Sequence, residues 1–265
     1  MKKLLLPLLL VAAIITTAFT LSSKKQFIPP GTVQINDTLF ADDFEISNFY
    51  WQEFEWWTIN AYGKYSKEHL AVLPDTLVWR DSLSHNEPYV QYYYRHKAYS
   101  DYPVVGISYE QALGYCKWRT ERVKTFLSIK KNFKHPDFEY RLPTKREWEL
   151  FSEGATRFLY NNGKDQNGQI SLNFRYMTDA MVKSGVKPKY VDVTNPVKSY
   201  EKNHFGLYNV VGNVSEMIME KGISKGAGWI HTVEECLIGK DIPYTKPKAW
   251  LGFRCVCIIK NNRNS

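Results

Sequence analysis

The stretch Asn203-His-Phe-Gly-Leu-Tyr-Asn-Val-Val-Gly-Asn-Val-Ser-Glu-Met217 combines features that rarely share fifteen residues. It holds two glycines fit for tight backbone, three asparagines, an apolar Val210-Val211 pair and a carboxylate at Glu216. A phosphate cradle needs glycine-rich backbone opening a helix after a strand, and Asn213 and Glu216 would oppose an anion there. A plain turn accounts for the glycines alone. A hard-cation site accounts for more, because calcium takes carboxylate, amide and backbone carbonyl oxygens. Asn209 and Glu216 offer side-chain oxygens. Gly212 lets the chain bend so that its own carbonyl and that of Val214 turn inward.

Outward from this stretch the chain reads as an aromatic-rich globular protein. It has 265 residues, 44% of them hydrophobic and 15% aromatic, with a formal charge of +8. Its Lys and Arg residues are scattered, without a stripe interleaved with aromatics or a zinc-knuckle spacing, so a nucleic-acid partner is not expected. Met1 to Thr20 runs from two lysines through an apolar stretch into small residues, the pattern of an export signal peptide or an N-terminal anchor over 1–20. Export to the periplasm or cell envelope permits disulfides among Cys116, Cys236, Cys255 and Cys257, and four cysteines allow three full pairings.

Regular structure is sparse. Residues 27–47 read as short strands around a Pro-Pro-Gly turn, and Asn48 is placed to cap a helix that Gly63 ends. Residues 64–103 read as a long loop pinned by aromatic rings. Ser108-x-x-Gln111 and Thr144-x-x-Glu147 are capping boxes. The first opens a helix with Tyr109, Ala112, Leu113, Cys116, Thr120, Val123 and Leu127 on one face, and the second opens a short helix closing at Gly154. The tail Ala249–Ile259 alternates like one terminal strand. The expectation is a single α+β domain with two or three helices.

Five segments, in order, then carry a resemblance: Tyr102-Pro-Val-Val-Gly-Ile-Ser-Tyr-Glu-Gln-Ala112, Arg141-Leu-Pro-Thr-Lys-Arg-Glu-Trp-Glu149, Asn203 to Met217, Lys225-Gly-Ala-Gly-Trp229 and Leu251-Gly-Phe-Arg254. Over roughly residues 28–260 the chain resembles the formylglycine-generating enzymes, or sulfatase-modifying factors. The resemblance implies one α+β, C-type-lectin-like domain with little regular secondary structure. Within the family the chain looks most like the gliding-motility lipoproteins J and K of Bacteroidetes, which work with type IX secretion in the cell envelope, although it lacks their lipid-bearing cysteine.

The resemblance also implies sites. A structural calcium falls on Asn209, Gly212, Val214 and Glu216. A second falls on Asn173 and Phe174, with Asp192 as a poorly spaced carboxylate partner. A disulfide joins Cys116 to Cys255. Active relatives bind Cu(I) through two cysteines, a soft pair suited to that ion. The matching positions here are His231 and Cys236, Gly228 replaces the motif serine, and Ser215 replaces a tryptophan. Glu234 and Glu235 beside Cys236 would hold its thiol protonated. Copper is therefore not expected. The favoured function is a catalytically degenerate exported domain, a binding or structural component of the bacterial envelope with an envelope or secretion-machinery protein, or a glycan, as partner. The alternative is a metal-dependent oxidase of the formylglycine-generating type using Cys236 and His231.

Overall fold

The helices that frame the molecule start where short polar side chains can cap them. In the computed structural model, which describes residues 27–80, 86–130, 134–153, 155, 172–175, 184 and 193–260, α1 spans Asn48–Tyr62 and its cap is Ser47. Asn48, the expected cap, is instead the first helical residue; it is buried, and its side-chain amide donates to the carbonyls of Tyr93 and Tyr99. The boxes at Ser108 and Thr144 both close, each side chain bonding the other's backbone N–H. They open the helices Tyr109–Ile129 and Lys145–Ser152. The second ends at Ser152, short of Gly154, which lies outside the described residues.

Among its described residues the expected loop over 64–103 contains two short α-helices, Lys67–Ala71 (α2) and Glu87–Tyr92 (α3), and two 3-10 turns, Thr76–Trp79 and Lys97–Tyr99, which makes Tyr109–Ile129 α4 and Lys145–Ser152 α5. A helix of five or six residues shows too few turns for periodicity to reveal it. Rings do pin this region: Trp79 lies 4.5 Å from Tyr93 and stacks at 6.0 Å on Trp229 (ring centroids).

Among the described residues eight short strands form two sheets. One is antiparallel, ordered β1 (Thr32–Gln34), β2 (Leu39–Asp42), β8 (Val256–Lys260), β3 (Asp137–Arg141). The other is ordered β6 (Ile242–Pro243), β5 (Ile223–Lys225), β4 (Ser215–Met217), β7 (Leu251–Gly252), with β4 and β7 parallel. The tail read as one strand is therefore two, β7 and β8, in different sheets, and Phe253, Arg254 and Cys255 make the crossing. Around that crossing α1 buries Trp51, Phe54, Glu55 and Thr58 at helical spacing. Trp51 stacks on Tyr115 of α4 at 5.5 Å, and Phe253 meets both rings edge-on. Burial of an aromatic side chain such as Phe253 contributes about 1.5–3 kcal/mol. Among the described residues no helix is long and apolar enough to cross a membrane.

Candidate functional site

The stretch from Asn203 to Met217 wraps one buried polar knot. Val210 and Val211 insert into the core beside Trp148 and Phe151, which fixes the loop from below. Above them the backbone turns left-handed at Asn209 (φ 46°), Gly212 (φ 82°) and Asn213 (φ 63°). Gly212 is required there, because a Cβ would stand 2.8 Å from the carbonyl oxygen of Asn173. Asparagine tolerates this conformation better than other residues with a side chain.

Glu216 emerges from the turn fully buried on β4. Arg254, also fully buried, donates from Nε and Nη2 to its carboxylate, and the Trp148 indole N–H adds a bond of 2.8 Å. Arg254 Nη2 further donates to the Tyr208 carbonyl, tying the turn to the strand crossing. Asn213 is the hub of the other side. Its Oδ1 accepts from Asn195 N at 2.7 Å and Asn173 Nδ2 at 3.2 Å, and its N–H donates to the Asn173 carbonyl. Its own amide donates to Glu45 at 2.9 Å.

Glu45 is the member that sequence reasoning missed. It comes from the corner between β2 and α1, is fully buried, and accepts from Asn209 and Asn213. Burial pushes its carboxyl up to about 8; Arg254 opposes that shift and Glu216 adds to it. The only sequence signal is an acid between Phe44 and Ile46, an apolar setting in which a charge needs partners.

Two features fit a hard cation here. Asn209 Oδ1 is buried without a hydrogen-bond partner, and Arg254, bonded to Glu216, is the one cation that lowers the Glu45 pKa. The oxygens of Asn209, Gly212 and Val214 and the Glu216 carboxylate would make a donor set of the kind calcium takes, with Glu45 adding charge on release of its proton. Glu216 would serve calcium and Arg254 together. Asn173, expected at a second calcium, sits in this same network with its carbonyl occupied by Asn213 N–H, and Phe174 packs into the core beside Trp148 and Phe151. Asp192 lies outside the described residues.

The positions that match the copper ligands are built differently. Gly228 has its Cβ direction closed by Trp250 O at 2.9 Å, Ser215 N at 3.0 Å and Asn213 O at 3.1 Å. Ser215 is buried and donates to Ser224 Oγ and the Lys225 carbonyl. His231 accepts from Gly228 N at its Nδ1, which leaves the proton on Nε2, and its ring stands edge-on to Trp250. Burial lowers its pKa. It lines an open depression with Glu234, Glu235 and Lys240. Cys236 instead points into the apolar core, fully buried. Burial first, then Glu235 and Glu234, push its thiol up to about 12. One imidazole and a protonated core thiol are not the pair of soft thiolates that favours Cu(I). Among the described residues no three His, Cys, Asp or Glu side chains converge as a metal site.

Cys116 of α4 and Cys255 lie with sulfurs 3.5 Å apart as free thiols, both buried. Cys257 is buried on β8.

Bovine (Bos taurus) formylglycine-generating enzyme is 26% identical over 162 residues, 59% of this chain and 36% of that protein. Bovine inactive C-alpha-formylglycine-generating enzyme 2 is 25% identical over 146 residues, 51% of this chain and 40% of that protein. The chain thus spans well under half the length of either. The crystal structure of CarF superposes with a TM-score of 0.52 at 18% identity, covering 84% of this chain and 87% of that one, a likeness of fold. The sulfatase-modifying factor enzyme 1-like domain matches residues 14–259, nearly the whole chain. Its members include a protein named as inactive as well as enzymes. With that match across a mixed helix-and-sheet domain, the chain belongs to the sulfatase-modifying factor enzyme 1-like family.

Proposed function

We propose that this chain is a catalytically degenerate member of its family, acting as a binding or structural component of the bacterial cell envelope. The observation that carries the first half is the state of positions 231 and 236. One offers a neutral imidazole; the other offers a thiol that burial keeps protonated in an apolar core. A dithiolate cannot assemble from them. Gly228 and Ser215 lack the hydroxyl and the ring that the resemblance implies for active relatives, and close packing and local hydrogen bonds fill the space around them.

The second half is supported by the leader-like residues 1–20 and by the motif resemblance to gliding-motility lipoproteins, with type IX secretion as the specific setting. Calcium, in this reading, is structural. It would be held by Asn209, Gly212, Val214 and Glu216, with Glu45 balancing its charge. It would join the turn to the corner between β2 and α1. Fractionation of cells carrying the native chain tests the location. The expected result is recovery with envelope markers; recovery with cytosolic markers alone would contradict it.

A further inference from the structure

Helices α1 and α4 lie side by side and run in the same direction, as their paired rings show. Trp51 stacks on Tyr115, Phe54 meets Trp118 at 5.1 Å between ring centroids, and the Arg122 guanidinium lies 3.6 Å over the Trp57 ring. A turn along one helix is matched by a turn along the other. The next turn brings Ala61 level with Phe126, and on this side the helices have outrun the core. Tyr62, the last residue of α1, is more than half exposed, and so are Phe126 and Ile129 of α4. The two helix ends make one tip.

The tip is both aromatic and basic. Trp56, also more than half exposed, meets Trp57 edge-on at 5.2 Å. Trp57 carries Arg122, and Phe126, one turn further on, carries the Lys130 ammonium at 4.6 Å. Lys64 follows just past the end of α1. The nearest acids on these two helices, Glu53 and Glu121, are exposed and stand a turn or more back from the tip. Contiguous exposed rings of this size mark an interaction surface.

Charge selects the occupant. A second copy meeting this face on a two-fold axis would set Lys64, Arg122 and Lys130 against the same three cations. An anionic bilayer suits both features at once. Amphipathic rings settle at the headgroup level, and lysine and arginine stems lie along apolar surface while their charged heads meet lipid phosphates. The whole chain, at +8, is attracted with the same sign. The negative ends of the two helix dipoles oppose this with about half a charge each, which the three cations outweigh. The N-terminus adds a positional argument. Phe27, where the described chain begins, packs on Phe138 at 5.5 Å, and the Lys124 ammonium of α4 lies 5.6 Å over that second ring. Residues 21–26, even fully extended, reach only about 20 Å. A leader over 1–20 held in a bilayer would therefore keep the second half of α4 close to its surface. We infer that the paired ends of α1 and α4 dock on an anionic lipid surface, with Trp56, Phe126 and Ile129 entering the headgroup layer and Lys64, Arg122 and Lys130 meeting phosphates. The inference rests on the envelope reading only for which membrane the tip meets.

The test uses the full chain and vesicles of phosphatidylcholine, alone or with one third phosphatidylglycerol, brominated in their acyl chains. Binding is read as quenching of tryptophan fluorescence. Residues 1–26 hold no tryptophan, so insertion of the leader cannot by itself produce the signal. Quenching should appear with phosphatidylglycerol and disappear in high salt, which screens the attraction. Lys64→Gln with Lys130→Gln should weaken binding about 25-fold, roughly fivefold for each lysine. Phe126→Gln with Ile129→Gln should weaken it about tenfold or more while keeping every tryptophan. All four side chains are exposed, so the melting temperature should hold in both pairs of variants. No quenching, equal quenching in the two kinds of vesicle, or unchanged affinity in both pairs of variants would overturn the assignment. A dimer in sedimentation velocity that Phe126→Gln dissociates, without quenching by the lipid, would give the face to a second copy and overturn it as well. Recovery from cells with envelope markers, together with no quenching, would refute this face and leave the location standing.

Discussion

Removing either half of the buried Glu216–Arg254 pair should destabilise the protein, but unequally, and the inequality follows from Glu45. Glu216→Gln leaves Arg254 buried without its main partner, but it also removes a charge that raises the Glu45 pKa, so Glu45 can release its proton and serve as a counter-charge. Arg254→Gln leaves two buried acids, Glu45 and Glu216, without the cation that favours their charged forms. Breaking a buried pair costs about 3–5 kcal/mol. Glu216→Gln should fall at the low end of that range and Arg254→Gln at or above the high end. For a chain of this size, about 2–4 °C per kcal/mol gives losses of roughly 6–20 °C in Tm. Excess calcium should rescue Arg254→Gln more than Glu216→Gln, because the ion supplies the missing positive charge and a group bound only by the folded state stabilises it by mass action. The assay is thermal unfolding by circular dichroism, with chelator and with calcium. Equal losses in the two variants, or a larger loss in Glu216→Gln, would refute this reasoning.

Glu45 also predicts a pH dependence. Its folded pKa of about 8 stands above the ordinary 4.5, so the folded state keeps a proton that the unfolded state releases in between. Stability in chelator should therefore fall as pH rises through that window, by up to about 1.4 kcal/mol per pH unit. Glu45→Gln should flatten the profile, and added calcium should restore stability at its alkaline end. His231, whose pKa burial lowers, acts with the opposite sign on the acid side of 6.5, and that part should survive in Glu45→Gln. Oxidation should join Cys116 to Cys255: their sulfurs need close by only about 1.5 Å to reach a disulfide length, and a loop this long contributes about 5 kcal/mol in the chain-entropy model. Non-reducing peptide mapping of exported protein checks this, and two free thiols would contradict it. Gly228→Ser should lower Tm by several degrees, because its Cβ would stand 2.9–3.1 Å from three backbone atoms; an unchanged Tm would show that the turn can yield.

What could be read from the sequence was what is local. The boxes at Ser108 and Thr144 are set by side chains three residues apart, and the burial of Val210-Val211 follows from their own apolarity. The division of the tail into β7 and β8 was hidden, because alternation has the same period in either sheet and only the pairing to β4 or to β2 and β3 separates them. Glu45 was hidden for a similar reason. It meets Asn209 across 164 positions, and no spacing rule spans that distance. The role of Arg254 was half visible: the Gly-Phe-Arg segment marked the resemblance, while its pairing with Glu216 needed the crossing between sheets. The depth of Cys236 was partly legible. The neighbouring acids point to a raised thiol pKa, but core burial is the larger cause.

The central claim is that this domain has lost the chemistry of its active relatives. Its most direct test is to incubate the purified chain, loaded with Cu(I) under oxygen, with a sulfatase-type cysteine peptide, and to read the product by mass spectrometry. The resemblance implies two cysteine thiolates as copper ligands in active relatives, and here His231 stands at one position and a buried, protonated Cys236 at the other. The account predicts unmodified peptide, and predicts that His231→Cys alone does not bring turnover, since Gly228 and Ser215 remain. Formylglycine or its hydrate, formed in multiple turnovers by the unaltered chain, would contradict it and make His231 and Cys236 catalytic residues.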